Sequence, residues 1–123
     1  MTKRILVVDD DFGIRTIVQM SLEVAAQWQV TLAASGQEGL HQARSQLFDA
    51  ILLDVMMPGQ DGVETFHQLR ADPPTSSIPV ILFTAKARRR ELDALQALGV
   101  KGVITKPFEA AKLVQTVRSM LDW

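Results

Sequence analysis

The strongest constraint on this chain is a repeated alternation between short apolar runs and segments with helical spacing. Ile5-Leu6-Val7-Val8, Ala50-Ile51-Leu52-Leu53 and Val80-Ile81-Leu82-Phe83 are apolar without a break. Continuous runs of that length predict strands covered on both faces, because a strand with one face in water would alternate. Trp28 to Leu32 does alternate, with Trp28, Val30 and Leu32 set against Gln29 and Thr31, and predicts a half-covered edge strand. Gly102-Val103-Ile104 is short, which also suits an edge.

The intervening segments carry helical periodicity. Ile14, Ile17, Val18, Leu22 and Ala25 fall on one stripe at three- and four-residue spacing. Ser35 and Glu38 form a capping-box signature ahead of Leu40, Ala43 and Leu47. Asp61 and Glu64 can cap a third helix carrying Val63, Phe66 and Leu69, which ends before Pro73-Pro74. Leu92, Leu95 and Leu98 mark a fourth helix, stopped by Gly99, and Leu113, Val117 and Leu121 mark a fifth. No repeat, linker or low-complexity stretch interrupts the series.

Strand then helix, five times over, implies right-handed crossovers and a parallel sheet with helices on both faces. With Trp28–Leu32 and Gly102–Ile104 at the edges, the expected architecture is α/β, a doubly wound five-stranded parallel sheet of order 2-1-3-4-5 with five helices. The 123 residues suffice for one core, since a chain of this size buries roughly two-thirds of its unfolded surface. The chain has no cysteine, which excludes a disulfide framework, a thiolate metal site and a Cys nucleophile. Its net charge of -1 gives no field favouring nucleic acid or a membrane surface. No apolar run reaches the ~20 residues that span a bilayer, and no basic-then-apolar leader opens the chain. A single cytoplasmic domain over residues 1–123 is the expectation.

In doubly wound sheets the functional crevice lies at the carboxyl ends of the strands. Here Asp9, Asp10 and Asp11 follow the first strand, Asp54 the third, Thr84 the fourth, and Lys106 closes the fifth. Helix capping explains Asp11. It does not explain Asp54, which precedes Val55-Met56-Met57-Pro58, or Lys106 before Pro107. Carboxylates drawn together repel by about 4 kcal/mol per pair at ~4 Å and an effective dielectric near 20. One lysine does not offset three of them, so a cation bound through oxygen is expected. With no Cys, and with His41 and His67 in mid-helix, Mg2+ is favoured over Zn2+. A carboxylate, Mg2+, a hydroxyl and a lysine around one point suit phosphoryl transfer, with Asp54 as nucleophile.

These residues carry a resemblance. Val7-Val8-Asp9-Asp10-Asp11, Leu53-Asp54-Val55-Met56-Met57-Pro58-Gly59 with Asp61-Gly62, Thr84-Ala85 and Lys106-Pro107-Phe108 resemble the signature blocks of response-regulator receiver domains, in order and approximate spacing. The resemblance implies a flavodoxin-like fold and residue roles. Asp54 would be the acceptor, taking a phosphoryl group from a histidine kinase or histidine phosphotransfer protein. Asp10, Asp54 and the backbone carbonyl of Met56 would ligate Mg2+, and Asp9 would hold a metal-bound water. Thr84 would turn toward the phosphate and Lys106 would pair with it. The Lys106-Pro107 bond is expected to be cis. Met56 and Lys86 match positions that tune dephosphorylation.

One position departs from the pattern. Three residues before its lysine the family often has Tyr or Phe, whereas this chain has Val103 and no tyrosine at all. A β-branched side chain has little χ1 freedom and little reach, so output is expected to run through the Thr84–Ala87 loop and the fourth helix. Arg88-Arg89-Arg90 opens that helix and opposes its dipole. It reads as a solvated face, or as a docking patch for an acidic partner.

Three other functions fit less well. A hydrolase of the haloacid-dehalogenase type places a second acid two residues after the nucleophile, where this chain has Met56. A flavin or nucleotide module needs a Gly/Ser/Thr-rich loop where Asp9-Asp10-Asp11 stands. A degenerate receiver would not carry the complete set of site residues. The expectation is a stand-alone switch, monomer or weak dimer, that turns over no external metabolite. Its downstream protein target would dock on the face from the fourth to the fifth helix.

Overall fold

A computed structural model of the chain describes residues 2–57, 61–85 and 88–123. The strands are β1 (Arg4–Val8), β2 (Gln29–Ala33), β3 (Ala50–Asp54), β4 (Val80–Thr84) and β5 (Gly102–Thr105). Between and after them run α1 (Phe12–Ala26), α2 (Gly36–Ser45), α3 (Gly62–Ala71), α4 (Arg89–Gln96) and α5 (Ala110–Leu121). All strand pairs are parallel and the sheet order is β2-β1-β3-β4-β5. The doubly wound arrangement read from the alternation is the one the chain adopts.

Successive side chains on a strand point to opposite faces, and the unbroken apolar runs therefore feed two cores at once. Leu6, Val8, Ile51, Leu53, Val80 and Leu82 pack with Leu40 and Ala43 of α2 and Phe66 and Leu69 of α3. Ile5, Val7, Leu52, Ile81 and Phe83 pack with Val18 and Leu22 of α1 and Leu113, Val114 and Val117 of α5. Each fully buried Leu, Ile or Phe contributes about 1.5–3 kcal/mol relative to exposure.

The capping signals act as expected. Asp11 accepts the Ile14 amide at 3.1 Å, Ser35 the Glu38 amide at 3.1 Å, and Asp61 the Glu64 amide at 2.8 Å. The Glu38 carboxylate completes its box one residue early, accepting from the Ala34 amide at 3.2 Å. These caps place helix starts directly after strand ends, and so fix the loops that carry the polar residues.

The structure corrects four details. On α1 the row facing the sheet is Ile14, Val18, Leu22 and Ala26, while Ile17 is 45% exposed and Ala25 is exposed. Neighbouring positions differ by about 100° around a helix, so Ile17 cannot share a row centred on Val18. Leu47 lies beyond the end of α2 and is exposed. Leu98 falls in the turn after α4, which closes at Gly99 with φ 93°, a conformation favoured by glycine. Trp28 precedes β2 and is buried; Trp123 packs edge-on against it, ring centroids 5.3 Å apart. No described helix is long and apolar enough to cross a membrane.

Candidate functional site

Parallel strands paired side by side bring their carboxyl ends together, so Asp9, Asp54, Thr84 and Lys106 arrive at one rim of the sheet. Asp9 leaves β1 with its amide bonded to the Ala33 carbonyl at 3.1 Å. Its Oδ1 accepts the Asp11 amide at 2.9 Å, and its Oδ2 accepts from Lys106 Nζ at 2.8 Å. Asp54 ends β3 and is 3% exposed; its Oδ1 accepts the Met56 amide at 3.3 Å and lies 3.2 Å from Lys106 Nζ. Asp10 is exposed, and one oxygen from each of Asp9, Asp10 and Asp54 lies within 4.8 Å of the others. Thr84 is buried at the end of β4, and its carbonyl accepts the Lys106 amide at 2.8 Å. The Lys106-Pro107 bond is cis.

Electrostatics follow from this placement. Burial, then the Asp9 charge, raise the Asp54 pKa from its ordinary 3.8 to about 6; Lys106 and the Met56 amide pull it part of the way back. Burial lowers Lys106, but its hydrogen bond to Asp9 and the charges of Asp54 and Asp9 outweigh that and hold its pKa above the ordinary value. The lysine therefore stays charged at neutral pH, shared by the two buried acids, while Asp10 is left to water. At the separation seen here each pair of acids still repels by about 3 kcal/mol at an effective dielectric near 20. All the donors are hard oxygens, and His41 and His67 sit exposed on α2 and α3. That donor set fits Mg2+.

The raised acid predicts a pH slope. Between pH about 4 and 6 the folded chain holds a proton on Asp54 that the unfolded chain releases, so metal-free stability falls as pH rises through that window. The full loss from this group is about 3 kcal/mol. Lys106 remains charged on both sides of the window and adds no slope. Urea denaturation in chelator at pH 4.5 and pH 7.5 measures the difference; a Tm and midpoint that rise over that interval would refute it.

The sequence reading missed Arg15. Its Nη1 donates to the Asp9 carbonyl at 2.7 Å, bringing a second cation behind the acid cluster. The signal was present: on the helical wheel position 15 lies between Leu22 and Ala26, on the inward arc of α1, where a charge needs a reason. Of the expected site residues, Asp9, Asp10, Asp54, Met56, Thr84 and Lys106 all lie at this rim. Pro58, Gly59, Lys86 and Ala87 lie outside the described residues. Val103 is half-buried and packs against the same core face as Leu95 of α4 and Leu98 of the turn after it.

A doubly wound sheet with three acids, a hydroxyl and a lysine at its carboxyl rim defines a class of phosphoryl-handling domain. The family model for the response regulator receiver domain matches residues 5–118, and the chain belongs to that family. It is 41% identical over 122 residues to the response regulator PleD of Caulobacter vibrioides, covering 98% of this chain and 26% of that protein. The chain spans about half or less of the length of the curated relatives it matches. A putative response regulator from Chloroflexus aurantiacus superposes with TM-score 0.89 at 32% identity, with 100% of both chains covered. The receiver domain of a Pseudomonas aeruginosa sensor histidine kinase does so with TM-score 0.86 at 30% identity over 100% of both chains; that structure has a magnesium ion coordinated in its active site cleft.

Proposed function

We propose that this chain is a Mg2+-dependent phosphorylation switch whose acceptor is Asp54. The observation that carries the reading is the shared lysine: Nζ of Lys106 lies within 3.2 Å of both buried acids. It thereby keeps a nucleophilic carboxylate beside a ready counter-charge for a phosphoryl oxygen. Asp10, Asp54 and the Met56 carbonyl would hold the metal, with Asp9 acting through a bound water. Bound Mg2+ would supply charge neutralisation for the phosphoryl group. Asp54 attacks phosphorus, its oxygen forming the new P–O bond as the donor's bond to phosphorus breaks. Lys106 turns its ammonium from the carboxylate to the new phosphate, and the Thr84 hydroxyl at the neighbouring strand end supplies a second donor.

The phosphodonor would be a histidine kinase or histidine phosphotransfer protein. An apolar outer face on α1, made by the exposed Ile17, Met20 and Val24, supports docking of a helical donor. Thr16 and Ser21 turn their hydroxyls back to the Phe12 and Ile17 carbonyls, which keeps that face apolar. Output would run through α4 toward the α4–α5 face, because no α4 residue is buried and its N-cap Arg88 makes no side-chain cap bond. A weakly held helix is the cheapest element to move. The switch consumes no external metabolite, works in the cytoplasm as a monomer or weak dimer, and does not itself bind nucleic acid. In this reading the chain acts as a stand-alone regulator. An immunoblot of the native product in its cell would decide this, since a product well above 13.6 kDa refutes it.

The test of chemistry is direct. Incubation with a small phosphodonor and Mg2+ should add one phosphoryl group by intact mass, and chelator should prevent it. No addition in the presence of Mg2+ would sink the proposal. Met56 is 54% exposed and offers no side-chain donor to orient water. The phosphorylated state is therefore expected to outlast a few seconds, and complete phosphate release within seconds would count against that.

A further inference from the structure

We propose that Gly62 is a positioning residue for the acceptor: by having no side chain it lets α3 start directly against the peptide of Asp54. This inference rests on the reading of Asp54 as phosphoryl acceptor and metal ligand given above. Gly62 is buried as the first residue of α3, and its amide donates to the Val55 carbonyl at 2.8 Å. A Cβ added there would overlap the Asp54 carbonyl oxygen and lie 2.8 Å from both the Asp54 carbonyl carbon and Val55 Cα. The glycine is not needed for its backbone angle, since the only positive-φ glycine among the described residues is Gly99. It is needed for space, and the space it leaves is filled by the backbone of the acceptor.

What would yield decides the effect. A Cβ at Gly39 or Gly102 would press on the side chains of Val8 or Met120, not on main chain, and the unbranched Met120 can rotate away. At Gly62 both sides of the contact are main chain. Helix α3 is anchored by Phe66 and Leu69, each 2% exposed, so it cannot back away without opening a core cavity. On the strand side the sheet pairing ends here: Asp54 is the last residue of β3, and beyond it the chain is held by the Val55 amide on the Phe83 carbonyl at 2.9 Å and by the buried Val55 and Met57 side chains. The softer response is a shift of the Asp54–Met56 peptides toward the rim. The Met56 amide to Asp54 Oδ1 bond is already 3.3 Å long, and a shift of a few tenths of an ångström would break it. The same shift would carry the Asp54 carboxylate and the Met56 carbonyl away from Asp10. Misplacement by about 1 Å can cost a reaction on the order of 100-fold.

A second contact supports the clasp. Thr65 is buried and its Oγ1 donates to the Asp61 carbonyl at 3.2 Å. That carbonyl belongs to the same peptide whose N–H reaches Val55, so the hydroxyl steadies the clasp from the helix side.

The experiment compares wild type, Gly62→Ala, Thr65→Val and Leu69→Val, the last a core change in the same helix away from the acceptor. Mg2+ affinity is read by isothermal titration calorimetry, the phosphorylation rate with a small phosphodonor by intact mass, and folding by circular dichroism. The expected result is folded Gly62→Ala with Mg2+ affinity and rate each reduced about 10-fold or more, against changes under about 2-fold for Leu69→Val. Wild-type values in folded Gly62→Ala, or equal losses in Leu69→Val, would overturn the proposal. If Gly62→Ala does not fold, Thr65→Val decides: a loss of about 3-fold or more in Mg2+ affinity supports the positioning role, and an unchanged affinity refutes it. A wild-type chain that neither binds Mg2+ nor accepts phosphate would instead remove the acceptor reading itself. That failure is distinct from one confined to the variants.

Discussion

Asp54→Asn should leave a folded chain that takes no phosphoryl group under conditions that label the wild type completely. The amide keeps the shape of the carboxylate but is not a nucleophile at neutral pH, so the effect is loss and not slowing. The same change should raise metal-free stability at pH 7.5. It removes a buried charge that the wild type carries against burial and against Asp9, and whose pKa is raised to about 6. A gain approaching about 3 kcal/mol in urea is the upper limit, reduced by whatever Lys106 loses as a partner. The pH slope between about 4 and 6 should disappear with the carboxylate. Asp10→Asn is the informative companion, because Asp10 is exposed and is not the nucleophile. It should retain the acceptor, weaken Mg2+ binding, and raise metal-free stability by a smaller amount. Labelling of Asp54→Asn at the wild-type rate would place the acceptor elsewhere. A lower metal-free Tm for Asp10→Asn would contradict the repulsion argument.

Legibility in the sequence followed the range of the forces involved. The sheet order was readable because unbroken apolar runs leave few ways to cover both faces, and the helix starts because Asp11, Ser35 and Asp61 act within four residues. The rim cluster was readable for a different reason: strand ends in a parallel sheet coincide, so polar residues after separate strands must meet. The missing details depend on contacts between elements. Ile17 and Val18 are equally apolar, and only the seating of α1 on the sheet decides that one is exposed and the other buried. Lys106 was expected to face three acids; it faces two, because Asp10 stays in water and needs no partner. Arg15 approaches a backbone carbonyl six positions earlier, a contact no motif records. Gly62 stood in a recognised block, yet its closeness to the Asp54 carbonyl depends on how α3 packs and is invisible to spacing.

Lys106→Met should be the most damaging single change to the metal-free protein at alkaline pH. The methionine keeps most of the stem's packing, and what is removed is the ammonium 2.8 Å from Asp9 and 3.2 Å from Asp54. Breaking a buried ion pair by deleting one partner costs about 3–5 kcal/mol. The lower end applies here, because the lysine side chain is 17% exposed and water can reach the gap. Two buried carboxylates then face each other with Arg15 engaged at the Asp9 carbonyl behind them. The cheapest response is protonation, and the Asp54 pKa should rise beyond about 6. Stability in urea should consequently fall by about 3 kcal/mol at pH 8 and recover as the pH drops through 6 and the carboxylate takes up its proton. Saturating Mg2+ should restore part of the loss at pH 8, by linkage to a folded state whose ligands are all still present. It should not restore the phosphorylation rate, since the group that receives the phosphoryl oxygen is gone. A variant as stable as wild type at pH 8 in chelator would show that Asp9 and Asp54 are held by something other than Lys106, and the electrostatic account of the site would fail with it.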